Sequence, residues 1–366
     1  MPARVPIRAV PDRLALRARR GGMAARGTVV VETLESRVLG GNAPGDAAVR
    51  LLPVYLPPGY ETSRQRYPVL LALAGFAGAG RMLLNVSAWG EALNERLDRL
   101  QAAGRMGPVI VAMPDCLTRY GGSQYIDSRA TGRYGEHLIR EIVPHLDRRF
   151  RTLASARHRG IFGKSSGGYG ALVHGMLHPE VFRAVACHSG DMGFELCYPP
   201  DFGRFLGQVA QHGGVRGFLR AFEAAPRKTH DLVTAMNILA MAACYSPSAR
   251  RAAPLGIDLP MDLETGAIDA AVWRRWLRHD PVRLVRRHAA GLRKLRLLFL
   301  DCGRRDEFNL QWGARQLAAE LGRRRVRHVY EEFDDGHRDT SYRFDRSLPL
   351  LWRALSPAAR YTREVG

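Results

Sequence analysis

Between residues 67 and 188, short apolar runs alternate with longer mixed runs, and this alternation most restricts the fold. Strand-like stretches fall at 67–74, 108–114, 158–163 and 182–188, and helix-like stretches near 91–104, 134–149 and 167–178. Runs such as Tyr67-Pro68-Val69-Leu70-Leu71-Ala72-Leu73 and Val109-Ile110-Val111-Ala112-Met113 show no polar alternation, so both of their faces are read as buried. The pattern predicts a mostly parallel sheet with helices on both faces. Earlier strands near 27–38 and 47–56 predict an antiparallel lead-in, and 295–300 and 326–333 predict two late strands. The total is a sheet of about eight strands in an α/β chain. At 366 residues the length allows one large domain with an ample core.

One turn inside this pattern carries chemistry. Gly163-Lys164-Ser165-Ser166-Gly167 follows the strand His158-Arg159-Gly160-Ile161-Phe162 and opens the helical run Gly168-Tyr169-Gly170-Ala171-Leu172. It reads G-x-S-x-G in the strand–turn–helix context of a nucleophile elbow. A turn that sharp needs flanking residues with almost no side chain, and Gly163 and Gly167 supply them. The Ser165 hydroxyl would stand clear at the sheet edge, over a helix N-terminus that favours developing negative charge.

A serine needs a base, and the base needs an orienting carboxylate. On this architecture the chain order is Ser, then an acid, then His. The strand Leu295-Arg296-Leu297-Leu298-Phe299-Leu300 runs into Asp301-Cys302-Gly303-Arg304-Arg305-Asp306-Glu307-Phe308. Asp306 is the expected acid, Asp301 sits nearer the strand end and reads as structural, and Glu307 is the alternative acid. The last strand, Val326 to Phe333, leads into Asp334-Asp335-Gly336-His337, which makes His337 the base. His328, inside that strand, reads as a packing or surface residue. An oxyanion hole needs two backbone N–H groups. Ser166 offers one, and Phe76 in the Gly-rich loop Ala74-Gly75-Phe76-Ala77-Gly78-Ala79-Gly80 offers the other.

These segments together resemble the putative-esterase family of α/β-hydrolases, which includes enterochelin esterases, S-formylglutathione hydrolases, feruloyl esterases and mycolyltransferases. The resemblance rests on Leu56-Pro57-Pro58-Gly59-Tyr60 leading to Tyr67-Pro68-Val69-Leu70, on Gly163 to Leu172, on Asp301-Cys302-Gly303 with Asp306 and Phe308, and on Gly336-His337. It covers roughly residues 27 to 355. It implies Ser165, Asp306 and His337 as the triad and a metal-independent serine hydrolase acting on an ester, with no cofactor. Many members have His-Gly where this chain has Ala74-Gly75, and a bulky residue where it has Ser166. Both differences leave the backbone N–H groups in place but argue against transferring any one member's substrate. An acyltransferase or a thioesterase could use the same triad, and a non-catalytic binding protein on a hydrolase scaffold is the alternative of another class.

Further expectations concern the pocket. The loop Arg119 to Ser128, after the strand 108–114, lies on the active-site edge, and Ser123, Gln124 and Tyr125 are candidate pocket residues with Gly75. His188 and Asp191, in the turn after 182–188, either line the pocket or orient their neighbours. Lys164 is expected to point away from the substrate. Residues 198–290 break the strand–helix rhythm and are read as a cap insertion within a single domain spanning 27–366.

Residues 1–26 are Arg-rich with one acidic residue, Asp12, and read as a disordered arm without a secretory signal; either Met1 or Met23 could be the start. No segment has the roughly 18 apolar residues a membrane span needs. The formal net charge is +20, yet 52 of the 55 basic residues are Arg and they are scattered, without aromatic interleaving or a reader motif. Nucleic acid is therefore not an expected partner. A small-molecule ester is, and the positive field would favour an anionic one. Cys116, Cys187, Cys197, Cys244 and Cys302 fit neither a disulfide scaffold nor a zinc site, which predicts reduced thiols in a cytoplasm. The acyl group, the alcohol and the oligomeric state are not legible.

Overall fold

The structure is a computed structural model that describes residues 26–248 and 254–357. Apart from Arg26, the expected N-terminal arm lies outside the described residues, as do the two candidate start positions. Eight strands form one sheet: β1 (Thr28–Glu35), β2 (Val49–Leu56), β3 (Val69–Leu73), β4 (Ile110–Ala112), β5 (Arg159–Lys164), β6 (Ala184–His188), β7 (Leu297–Gly303) and β8 (Val329–Phe333). Their spatial order is β1-β2-β4-β3-β5-β6-β7-β8. The pairs β1/β2 and β2/β4 are antiparallel and all others are parallel, as the lead-in and the strand–helix alternation predict.

Successive residues of a strand face opposite sides, and here both sides are dry. On β3, Val69, Leu71 and Leu73 enter one core, and Leu70 and Ala72 enter the other. The first core is covered by the helix spanning 134–149, labelled α2, and by α3 (Ser166–Leu177). The second is covered by α1 (Leu93–Ala102) and by α10, the helix Phe344–Leu355. Helix α3 is buried on almost every side because it lies between the sheet and further helices.

Those further helices are α4 (Phe202–Gln211), α5 (Val215–Ala224), α6 (His230–Tyr245), α7 (Ala270–Leu277) and α8 (Pro281–Leu292); α9 (Leu310–Arg323) then joins β7 to β8. An aromatic cluster binds the insertion to α3. Tyr245 lies 6.0 Å from Tyr169 of α3 and 5.5 Å from Trp276, and Trp276 meets Tyr198 edge-on at 5.4 Å. Both limits of the inserted part differ from the expected 198–290, since the first helical turn after β6 is already Phe194–Cys197. Helix α8 packs on α3 and α9 as the crossover helix into β7, so the inserted part ends near Asp280. The boundary is marked chemically: Asp280 caps α8 by accepting the Val282 N–H at 3.0 Å, and Pro281 occupies the first turn. Among the described residues no helix is long and apolar enough to cross a membrane.

Candidate active site

The turn between β5 and α3 is as tight as the sequence requires. Ser165 has φ 58° and ψ −129°, a conformation that strains a residue with a side chain by about 1–3 kcal/mol. Its amide donates to the His188 carbonyl at 2.9 Å, which ties the strained residue to β6. A Cβ on Gly163 would lie 2.5 Å from the Gly167 backbone, and one on Gly167 would lie 2.1 Å from the Leu73 carbonyl oxygen. Both positions therefore need glycine for space. Helix α3 starts at Ser166, so the Ser166 N–H is one of the first-turn donors with no intrahelical acceptor.

The loops after β7 and β8 meet at the same sheet edge. The Arg305 N–H donates to the Asp335 carbonyl at 3.0 Å, and the Arg304 N–H to the Phe333 carbonyl at 2.9 Å. Between them, His337 Nδ1 lies 2.7 Å from Asp306 Oδ2, and both side chains are buried. The proton of that bond belongs on Nδ1, which leaves Nε2 free to accept another. The Phe308 N–H donates to Asp306 Oδ1 at 3.0 Å, and the Phe308 ring meets His337 edge-on at 4.8 Å. Glu307, the alternative acid, accepts the backbone N–H of His337 at 2.6 Å. It holds the loop and does not touch the imidazole. Glu307→Ala should lower kcat about tenfold with little change in KM, because a charge-assisted loop bond is lost; unchanged steady-state kinetics would remove that role.

A cavity of about 120 Å³ opens beside this edge, several times the room one ordered water needs, about 10–15 Å³. Ser165, Ser166, Phe76 and Asp191 line it from the sheet side, and Cys197, Tyr198, Val233, Thr234 and Asn237 line it from the insertion. Phe308 and Arg338 complete the rim. Gly75 lies against the nucleophile candidate: a Cβ there would be 3.6 Å from Ser165 Cβ.

A model of the "Putative esterase" family matches residues 50–350. The chain belongs to that family. The match begins in β2, so β1 lies outside it, whereas the resemblance in the sequence extends from about residue 27. One curated relative, an endo-1,4-beta-xylanase/feruloyl esterase from Xylanibacter ruminicola, is 28% identical over 212 residues, 54% of this chain and 28% of that protein. The chain thus spans little more than a quarter of that relative's length. A solved ferulic acid esterase superposes with a TM-score of 0.58 at 21% identity, covering 90% of this chain and 99% of that one. An S-formylglutathione hydrolase from Agrobacterium tumefaciens gives 0.54 at 17% identity, covering 91% and 98%. These likenesses show the α/β-hydrolase fold.

Several pocket expectations for this family member need correction. His188 does not line the cavity. It shares the strand parity of Ala184 and Ala186, which sends its ring to the opposite face, between Phe299 and Phe344. There Nδ1 pairs with Asp301 at 2.8 Å and Nε2 with the Ser347 hydroxyl at 2.8 Å. Arg343 of the segment leading into α10 donates to Asp301 at 2.9 Å and to Glu331 at 2.6 Å. Asp301 is thus structural. Ser123, Gln124 and Tyr125 are also buried behind the cavity wall rather than lining it. The Tyr125 hydroxyl donates to the Ala74 carbonyl at 2.7 Å and fixes the start of the Phe76 loop. Gln124 touches Asp191, as described below. Asp191 does line the cavity. Lys164 is half-buried, and the desolvation pushes its pKa down. All five cysteines are free and buried.

The lining residues from the insertion were not foreseen. Arg338 and Phe308 had a signal, since they adjoin His337 and Asp306. Cys197, Tyr198, Val233, Thr234 and Asn237 had none, because nothing in a helical stretch announces which sheet edge it will cover.

Proposed function

We propose that this chain is a serine carboxylesterase that works through an acyl-enzyme. The observation that carries the reading is the 2.7 Å contact between buried His337 and Asp306 on the sheet edge where Ser165 stands in a strained turn. Ser165 Oγ attacks the ester carbonyl carbon while His337 Nε2 takes its proton. The carbonyl oxygen becomes an oxyanion and accepts hydrogen bonds from the Ser166 and Phe76 N–H groups. The tetrahedral intermediate collapses, the alcohol leaves with the proton from His337, and the acyl group remains on Ser165. His337 then takes a proton from water as the water attacks the acyl carbon, and returns it to Ser165 as the acid departs. Asp306 holds the Nδ1–H tautomer and stabilises the imidazolium.

The insertion between Phe194 and Asp280 acts as a cap whose residues form the outer wall of the acyl site. Arg338 at the rim, with no carboxylate partner among the described residues, favours an anionic substrate, as does the overall charge of +20. Five free thiols suit a reducing compartment, which supports a cytoplasmic location.

Labelling by a fluorophosphonate, with the modified residue mapped by mass spectrometry, tests the assignment. Wild type should be modified at Ser165 and His337→Ala should lose most of that labelling. A folded wild type that stays unlabelled would overturn it. Oxygen esters should exceed the matching thioesters in kcat/KM, and water should outcompete added alcohols as acceptor.

A further inference from the structure

The cavity beside Ser165 is lined by two carboxylates, Asp191 and Asp201, and by His230 and Arg338, none of which takes part in the proposed proton transfers, and Asp191 is the buried one of the two carboxylates. Asp191 is about nine-tenths buried, at 9% exposure, and its carboxylate lies on the cavity wall next to Ser165 and Ser166. The two oxygens of that carboxylate are treated very differently. Oδ2 accepts from Gln124 Nε2 at 2.7 Å, from the Tyr198 hydroxyl at 3.2 Å and from the Ser166 hydroxyl at 3.4 Å. Oδ1 takes no hydrogen bond from any described residue, and it is not among the buried atoms sealed off without a partner. It is an acceptor open to the cavity.

The arrangement is held at a conformational cost. Gln124 and Tyr125 are consecutive non-glycine residues with φ of 52° and 59°. Such backbone is disfavoured and persists where surrounding structure enforces it, most often at functional sites. Its result here is that the Gln124 amide reaches both Asp191 and the Tyr245 hydroxyl, the latter at 2.8 Å, while Gln124 Oε1 is left buried without a partner. Three neutral donors therefore fix the rotamer of Asp191 and aim its second oxygen at the space where substrate must sit. No cation pairs with it among the described residues, and burial pushes its pKa up. An isolated buried carboxylate oxygen is costly unless something donates to it.

We propose that Asp191 is a specificity residue, and that Oδ1 accepts a hydrogen bond from a hydroxyl of the substrate group that fills this cavity. Apolar Val233 and Phe308 beside it suit the carbon skeleton that carries the hydroxyl. A hydroxyl fits better than an ammonium, because Arg338 lines the same cavity and repels cations, while the second carboxylate on the wall, Asp201, is already paired with Arg204 at 3.3 Å. The proposal rests on the esterase reading, and it deepens that reading from an ester to a hydroxylated ester.

The test uses p-nitrophenyl esters of straight-chain ω-hydroxy acids, their methyl-terminated isosteres and their ω-amino counterparts. A second arm uses acetate monoesters of straight-chain diols and of the isosteric alcohols. In one arm the hydroxylated member should be preferred by about 10- to 100-fold in kcat/KM, the effect of a hydrogen bond to a charged group. Asp191→Asn keeps the shape but turns the free arm from acceptor to donor, so the preference should fall toward unity. Equal rates for hydroxylated and isosteric substrates in both arms would overturn the proposal, and so would a preference for the amino esters. Ser165→Ala supplies a readout without chemistry: calorimetric binding of the same esters should show the same preference. Fluorophosphonate labelling of each preparation separates the two readings. A labelled enzyme without hydroxyl preference overturns only the role of Asp191. An unlabelled enzyme whose Ser165→Ala form still selects the hydroxylated ligand overturns the esterase reading and sustains this one.

Discussion

Ser165→Ala should lower kcat by about 10⁴- to 10⁶-fold on any ester the wild type hydrolyses, while KM changes little. The expected loss is this large because the hydroxyl is the bond-forming atom, and His337 and Asp306 then have no nucleophile to serve. The oxyanion donors and the cavity survive, so a residual rate above that in water remains. The fold should survive too: alanine keeps the backbone bond from residue 165 to the His188 carbonyl and adds no volume at the turn. Steady-state kinetics together with thermal denaturation give the decisive pair. Turnover within tenfold of wild type, in a variant of native stability, would remove Ser165 from the mechanism and leave the strained turn without a chemical purpose.

Gly167→Ala should damage the protein in the opposite way, through structure first. The new Cβ would sit 2.1 Å from the Leu73 carbonyl oxygen and 2.6 Å from that of Ala74. Both obstacles are backbone, one at the end of β3 and one at the start of the loop that carries Phe76. A rotamer change cannot relieve the clash, so either α3 lifts from the sheet or the loop opens. Overpacking of this kind costs about 3 kcal/mol or more, which lowers Tm by several degrees in a chain of this size. Displacing the loop also moves the Phe76 N–H, and losing one oxyanion donor costs about 10²- to 10³-fold in kcat. A Gly167→Ala variant with native Tm and native turnover would contradict the packing described for the elbow.

The parts of this molecule that could be read from the sequence are those where local chemistry leaves few options. The strands of the central sheet declare themselves as short, doubly apolar runs. The elbow declares itself because only glycine fits at 163 and 167, and the acid and base loops because they follow the last two strands. What could not be read depends on which face or edge a group reaches. Ala184 to His188 is buried on both sides, so hydrophobicity is equal on the two faces and does not reveal where His188 points. The strand parity alone would have grouped it with Ala184 and Ala186, but only the covering helices show that their side is α10 and not the cavity. Gln124 and Tyr125 carry no sequence mark of left-handed backbone, since neither is Gly, Asn or Asp. The end of the inserted helices was more accessible: Asp280-Pro281 is a helix start, and it opens the crossover helix α8.

The proposed nucleophile, base and acid, Ser165, His337 and Asp306, all stand on loops anchored in the sheet, and the carbonyl that holds Ser165 belongs to a residue locked from behind by Asp301 and Ser347. Much of the cavity wall comes instead from residues between Phe194 and Asp280, which have no part in the proposed proton transfers. The two tasks are therefore heritable separately. On the proposed reading, a lineage with this sheet would acquire a new ester by rewriting the inserted helices, and the proposed triad would pass to the descendant unaltered.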